Sequence, residues 1–194
     1  MISGWEAAHA AAAVRVAKKF IYPQHTDADG PAQSLVRPTY TTAVAGSHVG
    51  LAIFARGWGA LAAVMEPIVD SVGSDVRAYL LRNAEAFVRW SVEHPAYSQL
   101  MFWRPVPGYE PSPEAYEPAV RLMERGRAAL VAWRDRGALR AGADVDELVD
   151  VWTIVISGVV SQQLANAPTE RFEDGRFTTL VPQVVEMYLR FYTP

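Results

Sequence analysis

The chain has 194 residues, 51% hydrophobic and 20% charged, which suits one globular domain with a sizeable core and excludes a disordered chain. A formal net charge of −3 argues against a broad nucleic-acid-coating surface. With no cysteine, and four histidines that form no His-x-x-x-His pair, neither a disulfide framework, a cysteine nucleophile, a metal centre nor a cofactor is expected.

The Ala-rich start carries Glu6 and His9 and lacks a basic leader, so it reads as no signal peptide, and the expected compartment is the cytoplasm. Ser3-Gly4-Trp5-Glu6 is a capping box, and the spacing predicts a helix to about Phe20. Its apolar face, Trp5, Ala8, Ala12, Val16 and Phe20, is thin and needs a larger body to lean on. From Ile21 to Ser47 the periodicity dissolves into a long loop punctuated by Pro23, Gly30, Pro31, Pro38 and Gly46.

Helical period returns at Val49 and runs to about Val69 through Leu51, Phe54, Trp58, Leu61, Met65 and Ile68, with Pro67 expected to bend or end the helix. Ser74 is the expected cap of the next helix, which carries Val76, Leu80, Phe87 and Ser91 on one face, Tyr79, Asn83 and Trp90 beside it, and ends at His94 before Pro95. The short apolar segment AYSQLMFW and the loop RPVPGYEPSP follow. Ser112-Pro113-Glu114 then opens a helix with a cap, a first-turn proline and an acid. Tyr116, Val120, Met123, Leu130 and Trp133 give its buried stripe, and Gly137 its stop.

Asp144 to Ala167 is the longest strongly apolar segment. Asp144 reads as its N-cap, Glu147 as the partner closing a capping box, and Pro168 marks its end. Leu148, Val151, Trp152, Val155 and Val159 form one stripe, and Val145, Val149, Ile156, Val160 and Leu164 an adjoining one, an arc wide enough to need neighbours on more than one side. The uncharged run from Val151 to Asn166 falls short of the roughly 20 residues of a membrane span, so a buried helix of a soluble protein is expected, with no membrane partner. A last helix from about Thr178 to Phe191 keeps the period through Phe177, Leu180, Val181, Val184, Tyr188 and Phe191, with Pro182 in its first turn. No stretch alternates convincingly, so the expected fold is all-α, with about seven to nine helices.

No glycine-rich phosphate loop, Gly-x-Ser-x-Gly elbow or zinc-helix spacing is present, and no enzymatic activity is expected. His94 has two readings, a base or ligand on one side and a helix-end residue meeting free carbonyls on the other; the absence of partner motifs favours the second. The aromatic and methionine side chains from Trp90 to Trp152 either fill core or line an apolar cavity. Arg127 falls between Met123 and Leu130 in the apolar stripe of its helix, where a charge is costly unless paired. It either pairs with a carboxylate such as Asp150, the favoured reading, or faces a cavity and receives an acidic or carbonyl-bearing ligand.

Three segments carry a family resemblance: ARGWGALAAVMEP at Ala55 to Pro67, AFVRWSVEHPAYSQLMFW at Ala86 to Trp103, and VDVWTIVISGVVSQQLAN at Val149 to Asn166. They resemble the C-terminal, ligand-binding and dimerising region of tetracycline-repressor-like (TetR family) transcriptional regulators, in particular the WHG subgroup. The most specific feature is Glu93-His94-Pro95 followed by Tyr97, Leu100, Met101 and Phe102. The subgroup's Trp-His-Gly signature is altered here, since Trp152 is followed by Thr153, with Gly158 further on. The resemblance implies a TetR-like helical bundle over residues 46–194 with a two-helix dimerisation face, and a DNA-binding module over residues 1–45.

The expected module is only partly there. Its link into the next helix matches as Gly46-Ser47-His48, but the recognition helix should fall in residues 34–45, where the sequence reads SLVRPTYTTAVA. Pro38 interrupts it and biases Arg37 away from helix, and Thr39, Thr41 and Thr42 disfavour helix mildly. Up to Gly50 only Arg15, Lys18, Lys19 and Arg37 supply fixed positive charge for phosphates. Loss, divergence and a shifted reading frame would all leave the right length with the wrong residues, and the coding DNA read in all frames separates them.

The resulting expectation is a ligand-responsive TetR-like regulator that does not bind DNA specifically as written. The alternative is a stand-alone helical protein that binds a small molecule or dimerises without DNA. A small apolar or amphipathic ligand is expected in a cavity of about 300 to 1,000 Å³. Phe87, Trp90, Met101, Phe102, Tyr116, Met123 and Trp152 would enclose it, with Arg127 at the site. The last two helices are expected to pair with their two-fold mates in a homodimer, through Trp152, Val155, Gly158, Val159, Gln162, Val184, Tyr188 and Phe191. Ser157, Gly158 and Ser161 would permit close approach.

Overall fold

The computed structural model describes residues 48–71, 73, 75–103 and 111–194. The Ala-rich helix, the long loop after it, the recognition-helix reading of residues 34–45 and Ser74 lie outside the described residues. Six α-helices follow in order: α1 (His48–Asp70), α2 (Val76–Glu93), α3 (Pro95–Phe102), α4 (Pro113–Asp135), α5 (Val145–Asn166) and α6 (Val181–Tyr192). A 3₁₀ turn over Thr178–Leu180 precedes α6, and there is no strand among the described residues. The fold is all-α.

The helix ends follow side-chain chemistry. Asp75, one residue beyond the expected Ser74, caps α2 by accepting the Ala78 N–H at 2.9 Å. Ser112 Oγ accepts the Ala115 N–H at 3.3 Å and caps α4, whose chain turns away at Gly137 with a φ of +77°. That left-handed backbone favours glycine. Pro67 does not end α1, which continues to Asp70. Asp144 caps α5 through the Asp146 N–H at 2.8 Å, but Glu147 does not close a capping box. Its carboxylate instead accepts the Tyr192 hydroxyl at 2.8 Å, tying the start of α5 to the end of α6. Tyr188 Oη donates to the Leu148 carbonyl at 2.9 Å, so α5 and α6 run antiparallel.

Two apolar cores form rather than one. The first joins α2, α4, α5 and α6 through Leu80, Val88, Leu130, Trp133, Leu148, Ile156, Val160, Val181 and Tyr188. The second joins α1, α2, α3 and α4 through Phe54, Trp58, Leu61, Met65, Trp90, Met101 and Tyr116. Phe87 of α2 packs against both. Gly57 is where α1 meets α3: a Cβ there would lie 2.5 Å from Met101 Sδ and 2.8 Å from the Tyr97 ring.

The wide arc of α5 is filled on one side by α2, α4 and α6 of the same chain. By length and composition α5, at 22 residues, and Ala52–Asp70 of α1 are long and apolar enough to cross a bilayer. The count from Val151 missed the first turns of α5, which also carry Asp146, Glu147 and Asp150.

The loop from α5 to α6 is organised by one buried amide. Gln163, 1% exposed, donates Nε2–H to the Ala167 carbonyl at 2.7 Å and accepts the Phe177 N–H on Oε1 at 2.9 Å. Arg89 of α2 holds the same loop from outside, paired with Glu173 and 4.2 Å from the centre of the Phe172 ring. Hydrogen bonding from Arg89 lowers the carboxyl pKa of Glu173. Replacing Gln163 with Leu strands a buried donor and a buried carbonyl, a loss of about 1–3 kcal/mol. Thermal melting should show Tm falling by roughly 2–4 °C per kcal/mol; an unchanged Tm would mean that water serves these groups equally well.

Candidate ligand cavity

Where the two cores meet they do not close completely. A cavity of about 180 Å³ remains, reached by Trp58 and Met65 of α1, Tyr79, Leu80, Asn83 and Phe87 of α2, Phe102 of α3, Leu122, Met123, Gly126, Arg127 and Leu130 of α4, and Val149, Trp152, Thr153, Ile156 and Ser157 of α5. Its walls are mostly apolar, and it is smaller than the range expected from sequence.

Five of the eight side chains expected to hold a ligand, Phe87, Phe102, Met123, Arg127 and Trp152, line this cavity. Trp90, Met101 and Tyr116 do not. Met101 and Tyr116 are buried in the α1–α3–α4 core, and Trp90 is stacked on His94 with ring centres 4.8 Å apart. His94 itself places Nδ1 2.8 Å from the Trp90 carbonyl, which is the helix-end role. Sequence missed Trp58, Tyr79, Asn83 and the α5 side chains Val149 and Ile156. Their helical phase marked them as apolar or buried, but phase alone does not separate packed surface from cavity wall.

Arg127 is corrected in two respects. Its side chain is 42% exposed rather than central to a buried stripe, and its partner is Asp146, one turn before Asp150. Nη2 and Nε both donate to Asp146 Oδ1, at 3.0 and 3.2 Å. The guanidinium therefore reaches the cavity already neutralised, and its exposure places it on the side nearest solvent.

Few polar side chains border the cavity, chiefly Asn83, Arg127, Thr153 and Ser157. Trp152 donates its indole N–H to Asn83 Oδ1 at 3.3 Å, which fixes that amide with its NH₂ as the remaining donor. Trp58 Nε1 and Tyr79 Oη are buried without a hydrogen-bond partner among the described residues. An unmade buried hydrogen bond costs about 1–3 kcal/mol, so these two groups stand out in an otherwise satisfied interior. Burial pushes the Tyr79 hydroxyl up to about 12, keeping it a protonated donor through the neutral range. No group of three or more His, Asp or Glu side chains among the described residues is placed to hold a metal ion.

Three of the eight expected dimer-contact residues turn inward. Tyr188 and Val159 are buried within the chain, and Trp152 packs its ring on Tyr188 at 5.0 Å while lining the cavity. The inward stripe of α6 is Val181, Val185, Tyr188, Leu189 and Tyr192, so Tyr188 belongs to the core of its own chain. The large apolar side chains exposed on these helices are Ile154, Met187 and Phe191, with Leu180 on the 3₁₀ turn before α6. Gly158 and Gln162 are exposed too, and Val155 and Val184 half-buried.

These features define an all-α domain built around a small apolar cavity between two cores. The description "Tetracyclin repressor-like, C-terminal domain" matches residues 80–184, more than half of the chain, and the chain belongs to that family, one of regulators rather than enzymes. A solved structure titled "Structure of a protein with unknown function from Rhodococcus sp. RHA1" shares the fold, with a TM-score of 0.62 and 18% identity, covering 75% of this chain and 72% of that one. No curated protein matches the chain.

The tyrosines give this interior a pH signature. Desolvation raises the hydroxyls of Tyr79 and Tyr188, and desolvation followed by the hydrogen bond to Glu147 raises Tyr192 to about 12. A tyrosine raised in the folded state lends stability that is complete below its unfolded value near 10 and is lost as pH climbs from there toward 12. The share of tyrosinate absorbance that belongs to these three of the chain's eight tyrosines should therefore rise in a late, cooperative step that coincides with unfolding above about pH 10. Complete reversible tyrosine ionisation near pH 10 with helicity intact would contradict this placement.

Proposed function

We propose that this chain is a ligand-responsive regulator of the TetR type, with residues 46–194 forming its sensing and dimerising half. The observation that carries this reading is the apolar cavity at the seam of the two cores, bordered by α1, α2, α3, α4 and α5. A small apolar or amphipathic molecule seated there would change how the α1 side of the bundle leans on the α5–α6 side. Such a ligand stabilises the fold by about 2.7 kcal/mol at a hundredfold excess over its Kd, equivalent to a Tm rise of roughly 5–10 °C. A thermal-shift screen across hydrophobic compounds should produce rises of that order, and a flat response across the panel would refute the sensing role.

The partner in assembly is a second copy of the chain. Ile154 and Met187 are each 68% exposed and Phe191 60%, a large apolar presence for two neighbouring helices. Pairing α5 and α6 with their two-fold mates would cover it in a four-helix, isologous contact. Gly158 offers open space for close approach, since a Cβ there would meet nothing within 4 Å. Light scattering should give a dimer at micromolar concentration. The double substitution Ile154→Glu with Met187→Glu should give a folded monomer; a wild-type monomer would overturn the assignment.

A second reading, a ligand-binding and dimerising protein that does not touch DNA, is favoured by the residues before α1. The stretch 34–45 has Pro38 where a recognition helix would lie and Arg37 as its sole fixed cation. Specific readout requires several side chains at base edges with phosphates held nearby. We therefore expect no specific DNA binding, with the protein in the cytoplasm in either case. Titration against DNA from its own upstream region at physiological salt tests this, and sequence-selective binding tighter than about 10⁻⁷ M would overturn it.

A further inference from the structure

Resting on the reading of the cavity as a ligand site, we propose that its ligand enters over Gly126 of α4 and is an uncharged amphipathic molecule of about one ring, with its apolar end inward and its polar end at the half-buried border. The placement of one glycine, the distribution of polarity and the balance of charge carry the inference.

Gly126 lies within α4, where glycine weakens a helix relative to alanine. Packing does not require it there. A Cβ at Gly126 would meet nothing within 4 Å, whereas one at Gly57 would collide with Met101 and Tyr97. Gly59 and Gly158 have the same free space, but they are exposed and do not border the cavity. Gly126 borders it and is half-buried, so the room left by its missing side chain joins the cavity to its edge. A larger side chain at this position would stand in that room.

Polarity is graded across the wall. Met65, Val69, Leu80, Leu130, Val149 and Ile156 border the cavity and are buried, forming an apolar floor. Asn83, Arg127, Thr153 and Ser157 border it too, and all four are half-buried. A side chain that meets both cavity and solvent stands at the edge between them, so the hydrogen-bonding end of a ligand belongs at that edge and its apolar end on the floor.

Charge is balanced at the same edge. Arg127 pairs with Asp146, and no carboxylate among the described residues lines the cavity. A charged ligand end would meet no unpaired opposite charge, and an anion would have to draw the guanidinium from its partner. The size fits one ring: about 180 Å³ is slightly more than an apolar cavity of about 150 Å³ that accepts benzene.

Rapid mixing of the full chain with ethylbenzene, followed by tryptophan fluorescence, tests the entrance. Gly126→Ala and Gly126→Leu both place a better helix former in free space, so each should melt no lower than the parent. Gly126→Leu should slow association about tenfold or more, and Gly126→Ala by less than about threefold. Unchanged association in Gly126→Leu would overturn the entrance, and so would a lowered Tm in Gly126→Ala, since packing would then require the glycine. Titration calorimetry with ethylbenzene, 2-phenylethanol and phenylacetate tests the ligand class. The alcohol has the carbons of ethylbenzene plus a terminal hydroxyl; kept at the edge, that hydroxyl should leave Kd within about threefold. Binding weakened about tenfold or more would mean that the hydroxyl is buried on the floor, and would overturn the orientation. Phenylacetate should bind about tenfold more weakly than the alcohol, and phenylacetate binding as well or better would overturn the uncharged assignment. Failure of all three to bind would overturn the ligand site itself.

Discussion

Phe87 packs against both apolar cores, and the incomplete closure around it is the constraint on which the rest of the molecule depends. Interiors are ordinarily packed as densely as organic crystals, so a gap between two well-filled cores leaves wall atoms without partners. Here the wall is rigid where it matters. Trp152 is fixed by Asn83 and by the ring of Tyr188, and Tyr79 lies edge-on to Trp133 with ring centres 4.4 Å apart. Trp133 is itself held by the Gly73 carbonyl at 3.2 Å. With Trp152 and the Tyr79 ring held in this way, that part of the wall cannot collapse cheaply, so the gap is not simply absorbed by repacking.

Helix α5 connects the cavity to the outside of the bundle. One side carries Val149, Trp152 and Ile156 toward the cavity, and another carries the exposed Ile154 and Gly158. Its start is clamped to α6 through Tyr188 and Tyr192, and its end is tied to the following loop by Gln163. Because both ends are anchored, filling the cavity would act on α5 as a body. On the proposed reading, a ligand in the cavity would reach the outer surface through α5 alone.

Much of this was legible in the residues because helical period and capping are local. Ser112, Asp144 and Gly137 mark ends that the structure keeps, and the family segments lie on helices as their spacing implied. What was not legible depends on long-range partners. Glu147 has the spacing of a capping box, yet Tyr192, 45 residues away, takes its carboxylate. Arg127 and Asp146 meet across two helices, one turn from the expected pairing with Asp150. Trp90, Met101 and Tyr116 resemble Phe87 and Phe102 in chemistry, so composition does not tell that the first three fill a core and the others border a gap. Gln163 was hidden because a polar residue near a helix end ordinarily faces water, whereas this one satisfies a buried loop.

A small molecule bound at the seam between the cores would be felt by the tryptophans that border it. Fluorine NMR of protein labelled with 5-fluorotryptophan addresses it most directly, since Trp58 and Trp152 line the cavity while Trp133 is buried in one core and does not line it. Resonances assigned by single Trp→Phe substitutions should show Trp58 and Trp152 shifting together on saturation with a hydrophobic compound that raises the Tm, and Trp133 moving less. Shifts confined to other tryptophans, or none at saturating probe, would contradict a ligand seated between the two cores.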